Sequence, residues 1–295
     1  MFIVITWLFC GLGLYRSAIS QNRPLIAGAL TATSSPERIV SLAPNLTEIL
    51  FALGLDDKIV GVPLHSNYPP AAANKPKTGT FWQPNIEAVI AAKPDLVITL
   101  GFEQQKNIAE RLKRIGYKTL TVNIEKVTDF FEAVGIIGQA AGKVSQANQL
   151  TSNLRNKLDN IRSLFTGVDR PKVLYVVQRQ PLRVAGTDTF VNEMIELAGG
   201  KNAIGRTIHK YPPIGAELVY TCGADVIIEP TMDKDNSLQQ RQEAIKYWAR
   251  FQTVPAVRDE RIYIIDGDLV CRLGPRLDEA VETIAKCLRP KLFEN

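Results

Sequence analysis

The residues with the most capacity for chemistry in this 295-residue chain are two histidines, His65 and His209, and four cysteines, Cys10, Cys222, Cys271 and Cys287. A metal centre needs several such donors at short, regular spacing, as in C-x-x-C or H-E-x-x-H, and neither pattern occurs. Two histidines exclude histidine-rich metal chemistry, so no metal site is expected. Nucleophilic catalysis finds no better support: there is no G-x-S-x-G, and Gly138 to Lys143 is too short for a phosphate loop and runs into Val144 where Ser or Thr is required. A Ser-His-Asp set assembled from scattered residues carries no weight without local context. The chain reads as a non-enzyme with no catalytic residue and no cofactor.

What stands out instead is a set of aromatic and polar residues, His65, Tyr68, Phe81, Trp82, Tyr211 and Asp268. They fall in segments expected to be loops at strand ends, where open α/β sheets place their ligands. Large flat side chains there suit a large, rigid, partly apolar ligand. Each has a plainer use as well. Trp82 and Tyr211 lie beside or near prolines and could simply cover the fold, His65 could be a solvated loop histidine, and Asp268 a turn residue after Gly267.

The elements that must position these residues alternate between strand and helix. Arg38 to Leu42 is a short β-branched run, followed by a helical pattern at Leu46, Ile49, Leu50 and Leu53 closed by Gly54. Strands are expected at 59–62, 96–100 and 119–122, with helices at 86–92 and 105–115. The proline- and aromatic-rich stretch from Pro63 to Pro84 reads as a long functional loop. From Val127 to Phe165 strand signal disappears, and apolar residues recur at helical spacing in two helices, the second long and polar on its outer face. Alternation then resumes, with strands near 171–177, 226–228 and 262–265 and helices at 190–198, 216–221, 240–251 and 276–288. This pattern predicts two parallel-sheet α/β lobes, 38–142 and 168–292, joined by a backbone helix over 143–167.

Ahead of the first lobe, Phe2 to Tyr15 is continuously apolar or small, and Ala18 and Ser20 supply a small-x-small pattern. The stretch is shorter than the ~20 residues a membrane-crossing helix needs. Residues 1–20 are expected to be a cleaved secretory signal and 21–37 a linker, which makes the protein an exported one, periplasmic or on the outer face of the cytoplasmic membrane. The aromatic residues before Cys10 do not suit a lipoprotein signal. After cleavage Cys222, Cys271 and Cys287 remain, an odd number that leaves at least one thiol free. The 35 basic and 30 acidic residues are mixed along the chain, which argues against a nucleic-acid partner.

One segment of each half matches the other. Residues 86–98 and 216–228 both carry a glutamate near a helix start, Glu87 and Glu217, followed eight positions later by an aspartate at a strand start, Asp95 and Asp225. The correspondence suggests two related lobes. A glutamate in a first helical turn also complements the macrodipole with no further purpose.

The segments Arg38-Ile39-Val40-Ser41-Leu42-Ala43-Pro44-Asn45-Leu46-Thr47-Glu48, Ser66-Asn67-Tyr68-Pro69-Pro70, Phe81-Trp82-Gln83-Pro84-Asn85-Ile86-Glu87 and Arg272-Leu273-Gly274-Pro275-Arg276 resemble the cobalamin-binding subgroup of the periplasmic metal-chelate binding proteins of ABC importers. The likeness runs from about Arg38 to Leu288. It implies the helical-backbone fold of class III periplasmic binding proteins, acting as a monomer with an ABC permease and its ATPase subunits. It implies a corrinoid, cobalamin or cobinamide, bound in the interlobe cleft at the matching positions His65, Phe81 or Trp82, Tyr211 and Asp268, which Tyr68 joins from the aromatic loop set, with a ferric siderophore or haem as the alternative cargo. It further implies that Glu87 and Glu217 meet arginines of the permease. Some members carry a disulfide of which Cys287 would be one half. Ala198 stands at the other half, so Cys287 pairs elsewhere or stays free.

Overall fold

The computed structural model describes residues 35–231 and 237–293. The expected signal at 1–20, with Cys10, and the linker up to residue 34 lie outside the described residues. The first lobe begins with strand β1 (Ile39–Ser41), which leads into helix α1 (Pro44–Ala52). Pro44 opens α1 at a position whose N–H has no helical partner. Gly54, at φ +67°, takes the left-handed conformation that ends it. Then follow β2 (Ile59–Gly61), α2 (Pro70–Ala73), α3 (Ile86–Ala91), β3 (Leu96–Leu100), α4 (Glu103–Arg114) and β4 (Thr119–Val122). The four strands pair in parallel in the order β2-β1-β3-β4. Leu96, Val97 and Ile98 are buried on both faces of the sheet, which is why β3 reads as a continuous apolar run.

Two helices, α5 (Val127–Ala140) and α6 (Val144–Ser163), leave this lobe. The connecting helix is thus α6, about 30 Å long at 1.5 Å per residue, and it buries only Ala147, Leu154 and Leu158 along one stripe. The second lobe comprises β5 (Lys172–Arg179), β6 (Leu182–Val184), α7 (Phe190–Leu197), β7 (Lys201–Asn202), α8 (Ala216–Thr221), β8 (Val226–Thr231), α9 (Ser237–Trp248), α10 (Pro255–Arg258), β9 (Ile262–Asp266), α11 (Gly267–Val270) and α12 (Leu277–Leu288). Its parallel strands run β7-β5-β8-β9, the same plan as the first sheet, and β6 adds an antiparallel edge against β5. Among the described residues Cys222, Cys271 and Cys287 are all free.

The internal repeat has a structural reason. The Asp95 carboxylate at the start of β3 accepts hydrogen bonds from the backbone N–H of Glu37 (2.8 Å) and Arg38 (3.1 Å), at the start of β1. In the second lobe the Asp225 carboxylate at the start of β8 accepts from Lys172 N–H (2.7 Å), at the start of β5. Each aspartate ties down the free end of the neighbouring strand, an end the ladder leaves without partners. The glutamate eight residues earlier begins a one-turn helix anchored by a single buried valine, Val89 or Val219.

The lobes share one apolar core. Ile39, Leu46 and Leu96 of the first lobe join Val173, Val226 and Ile284 of the second through Leu154 and Leu158 of α6. Beyond the end of α6, Phe165 lies against Gly199, where a Cβ would come within 2.3 Å of the ring and where φ is +78°. Only glycine allows that approach. A core continuous across the connection holds the lobes in a defined arrangement.

Candidate binding site between the lobes

The centre of the interlobe contact is a buried ion-pair network. Glu48 projects from α1 toward the second lobe, and the Arg276 guanidinium donates to both of its carboxylate oxygens, at 2.9 and 2.7 Å. Their side chains are 3% and 11% exposed. Arg272 lies 4.0 Å from the same carboxylate and donates to Asp268 Oδ1 at 2.6 Å. Burial lifts the Glu48 carboxyl above its ordinary value of 4.5, against the opposing pull of Arg276 and Arg272. Asn45 adds a hydrogen bond from its side-chain amide to the Leu273 carbonyl (3.1 Å), and the Arg276 guanidinium stacks over the Tyr68 ring at 4.0 Å.

The loop between β2 and α2 carries His65, Asn67 and Tyr68, and it is fastened from beneath by a chain of hydroxyls. Ser41 Oγ lies 2.6 Å from Thr47 Oγ1, which lies 3.1 Å from the buried Ser66 Oγ. With Ser66 held, Asn67 projects across to the second lobe. Its amide donates to Asp268 Oδ2 (2.7 Å) and its carbonyl accepts from Arg272 Nη1 (2.8 Å).

The expected aromatic residues gather in smaller groups. Phe81 and Trp82 meet edge to face at 4.7 Å, and Phe102 completes the group at 5.0 and 5.5 Å from the two rings. Trp82 keeps 64% of its surface exposed, while Phe81 is half-buried against the shared core. From the other lobe Tyr211 is half-buried against that same core, and its hydroxyl has no hydrogen-bond partner among the described residues. Burial, with the neighbouring Cys271 as the smaller cause, raises that phenol to about 12. Beside it Tyr175, 2% exposed, points its hydroxyl at Cys271 Sγ, 3.9 Å away. Cys271 reaches solvent, yet the surrounding protein pushes its thiol above the ordinary range.

Of the expected site residues, Tyr68 and Asp268 are linked through Arg276, which also donates to the Asp268 carbonyl at 3.2 Å. Phe81 and Trp82 touch, and Tyr211 stands with Tyr175 and Cys271. His65 is exposed in a left-handed backbone conformation (φ +66°). Asp268 does not sit in an open loop. It lies in the first turn of α11, whose N-cap Asp266 accepts a hydrogen bond from Asp268 N–H (2.9 Å). Glu87 and Glu217 occupy the second positions of α3 and α8, both exposed.

Glu48, Asn67, Phe102, Arg272 and Arg276 are site residues that do not stand out as such in the sequence. A signal for Glu48 was present: a glutamate among Leu46, Ile49 and Leu50 in an otherwise apolar helix needs a buried cationic partner. A hollow of about 640 Å³ opens behind the ion pair, lined by Glu48, Tyr68, Leu154, Lys157, Arg276 and Asp278. It includes none of the other expected site residues. Further interlobe contacts are made by Lys126 with Asp188 (2.5 Å), by Lys210 with Glu125 (2.6 Å), and by Val127 N–H with the Glu193 carboxylate (2.7 Å).

Comparison with known proteins is consistent across sequence and structure. A family described as periplasmic binding protein matches residues 39–269. The chain is 32% identical over 272 residues to an uncharacterised ABC transporter substrate-binding lipoprotein of Bacillus subtilis, covering 90% of this chain and 84% of that one. It is 26% identical to a vitamin B12-binding protein of Vibrio parahaemolyticus, covering 88% and 92% of the two chains. The crystal structure of a possible iron-binding, periplasmic solute-binding protein of Staphylococcus epidermidis superposes with a TM-score of 0.75 at 31% identity, over 87% of this chain and 100% of the other.

Proposed function

Because this chain belongs to the periplasmic binding protein family, whose members bind solutes for transport and are not enzymes, we propose that it captures a corrinoid, cobalamin or cobinamide, between its lobes and delivers it to an ABC permease. The observation that carries this reading is an exposed aromatic platform in the first lobe, Trp82 on Phe81 and Phe102, together with Tyr211 of the second lobe, half-buried against the core that Phe81 also packs on. Such surfaces suit a broad, rigid, partly apolar ligand. The names of several relatives, vitamin B12-binding proteins among them, point the same way. Tyr68 and Asp268 would contact the ligand from the rim, with His65 as an outer contact. Export places the protein in the periplasm or on the outer face of the cytoplasmic membrane. Among the described residues no helix is long and apolar enough to cross a membrane.

In this reading Glu87 and Glu217 meet cationic side chains of the permease, one on each lobe, so that opposite charge sets register. The ATPase subunits of the transporter complete the assembly. Titration with cyanocobalamin and with dicyanocobinamide, followed by absorbance and calorimetry, tests the cargo, and no response to either would refute it. A ferric siderophore or haem is the second reading, favoured by the Tyr211 hydroxyl, which has no hydrogen-bond partner among the described residues. A haem or ferric absorbance band on the purified protein would select it.

A further inference from the structure

Asn67, Asp268 and Arg272 close a ring of three hydrogen bonds across the lobe boundary. Arg272 Nη2 donates to Asp268 Oδ1 (2.6 Å), Asn67 Nδ2 donates to Asp268 Oδ2 (2.7 Å), and Arg272 Nη1 donates to Asn67 Oδ1 (2.8 Å). A primary carboxamide presents one donor edge and one acceptor edge, and here an acceptor and a donor from the second lobe meet both at once. A guanidinium alone would take a carboxylate in two parallel bonds. The adjacent Asp268 repels a carboxylate and converts the pair into a receptor for a carboxamide.

The two halves of this ring differ in how firmly they are held. The side chains of Arg272 and Asp268 are 11% and 13% exposed, and Arg272 is braced by Glu48 from the other side. Asn67 is exposed on its loop. The receptor is therefore preformed, and the asparagine is the part that can leave.

We propose that Asn67 is a resident competitor. Its side chain occupies a carboxamide receptor made by Asp268 and Arg272, and a ligand bearing primary carboxamides takes that place by displacing it. The proposal rests on the corrinoid reading in one respect, since the corrin periphery carries such amides and haem carries carboxylates instead. Displacement releases one tie between the lobes while leaving the buried Glu48–Arg276 pair intact. It also lowers the apparent affinity by the fraction of molecules in which the receptor is free.

The test uses the full exported protein as wild type, N67A, and N67A with D268A. Cyanocobalamin is titrated calorimetrically, and propionamide and propionate are followed by saturation-transfer NMR. N67A is expected to bind cyanocobalamin about tenfold more tightly than wild type, as removal of a competing hydrogen-bonded group would give. Propionamide should give a signal with N67A but none with wild type or the double variant, and propionate none with any. Equal propionamide responses in wild type and N67A, including no response in either, would overturn the proposal, as would weaker cyanocobalamin binding by N67A. If propionamide behaves as expected but no protein responds to cyanocobalamin, the receptor stands and the corrinoid reading alone falls.

Discussion

Replacing Glu48 by alanine removes the carboxylate that pairs with Arg276 at the lobe boundary. Both side chains are nearly out of solvent, so the arginine is left desolvated and facing Arg272, 4.0 Å from where the carboxylate stood. Breaking a buried ion pair from one side costs about 3–5 kcal/mol, most of it the stranded charge. At the 2–4 °C per kcal/mol usual for a chain of this size, E48A should lower the unfolding midpoint by roughly 6–20 °C. Replacing both partners by apolar residues, E48L with R276M, removes the stranded charge and should recover at least half of that loss. The linkage has a definite sign. Burial raises the folded carboxyl above 4.5, so the folded state holds its proton longer than the unfolded one. The proton-linked increment of stability, separate from the ion pair with Arg276, is then fully present below pH 4.5 and is lost as pH rises through the folded value. E48Q should flatten that part of the stability profile. The assay is thermal unfolding followed by far-UV circular dichroism across pH. A shift below about 2 °C for E48A, or a double variant no more stable than the single one, would refute a buried pair as the fastening between the lobes.

Charge reversal at both Glu87 and Glu217 should abolish uptake in cells while leaving solution affinity for cyanocobalamin unchanged, and unaltered uptake would remove these residues from docking. W82A should weaken cyanocobalamin binding by about tenfold through loss of stacking area, with no change in the unfolding midpoint because the ring is mostly exposed; unchanged affinity on calorimetry would take Trp82 out of the site. Among the described residues, maleimide should label Cys271 alone under native conditions, since Cys222 and Cys287 are buried and burial pushes the Cys287 thiol up to about 12. The Cys271 labelling rate should keep rising beyond pH 9, because its thiol is also raised, and mass spectrometry of the labelled peptides checks both points. D225A should cost about 1–2 kcal/mol through the lost charge-assisted bond to Lys172 N–H, measured by urea unfolding.

Local chemistry in the chain was enough to set the helices and strands and the pairing of the two halves. The apolar spacing of α1, the breaks at Gly54 and Gly199, and the matched Glu87/Asp95 and Glu217/Asp225 segments depend on neighbours within a few turns. Such signals survive in a linear string. Some elements of three or four residues did not. β6, α10 and α11 are too short for any periodicity, and so Asp268 was expected in a loop rather than in a helical turn. Phe102 was passed over because its value lies in the rings it meets from 20 residues away.

The interlobe network shows the other limit most clearly. Glu48 and Arg276 stand 228 positions apart, and nothing near either one indicates which charge it will find. The same holds for Asn67, whose amide is ordinary until two residues more than 200 positions away meet both of its edges. By itself the sequence determined that this is a two-lobed α/β binding protein with a docking glutamate expected on each lobe. Only the tertiary structure decided which polar groups face one another across the boundary, because desolvation and hydrogen-bond geometry are properties of the packed interface and not of either segment alone.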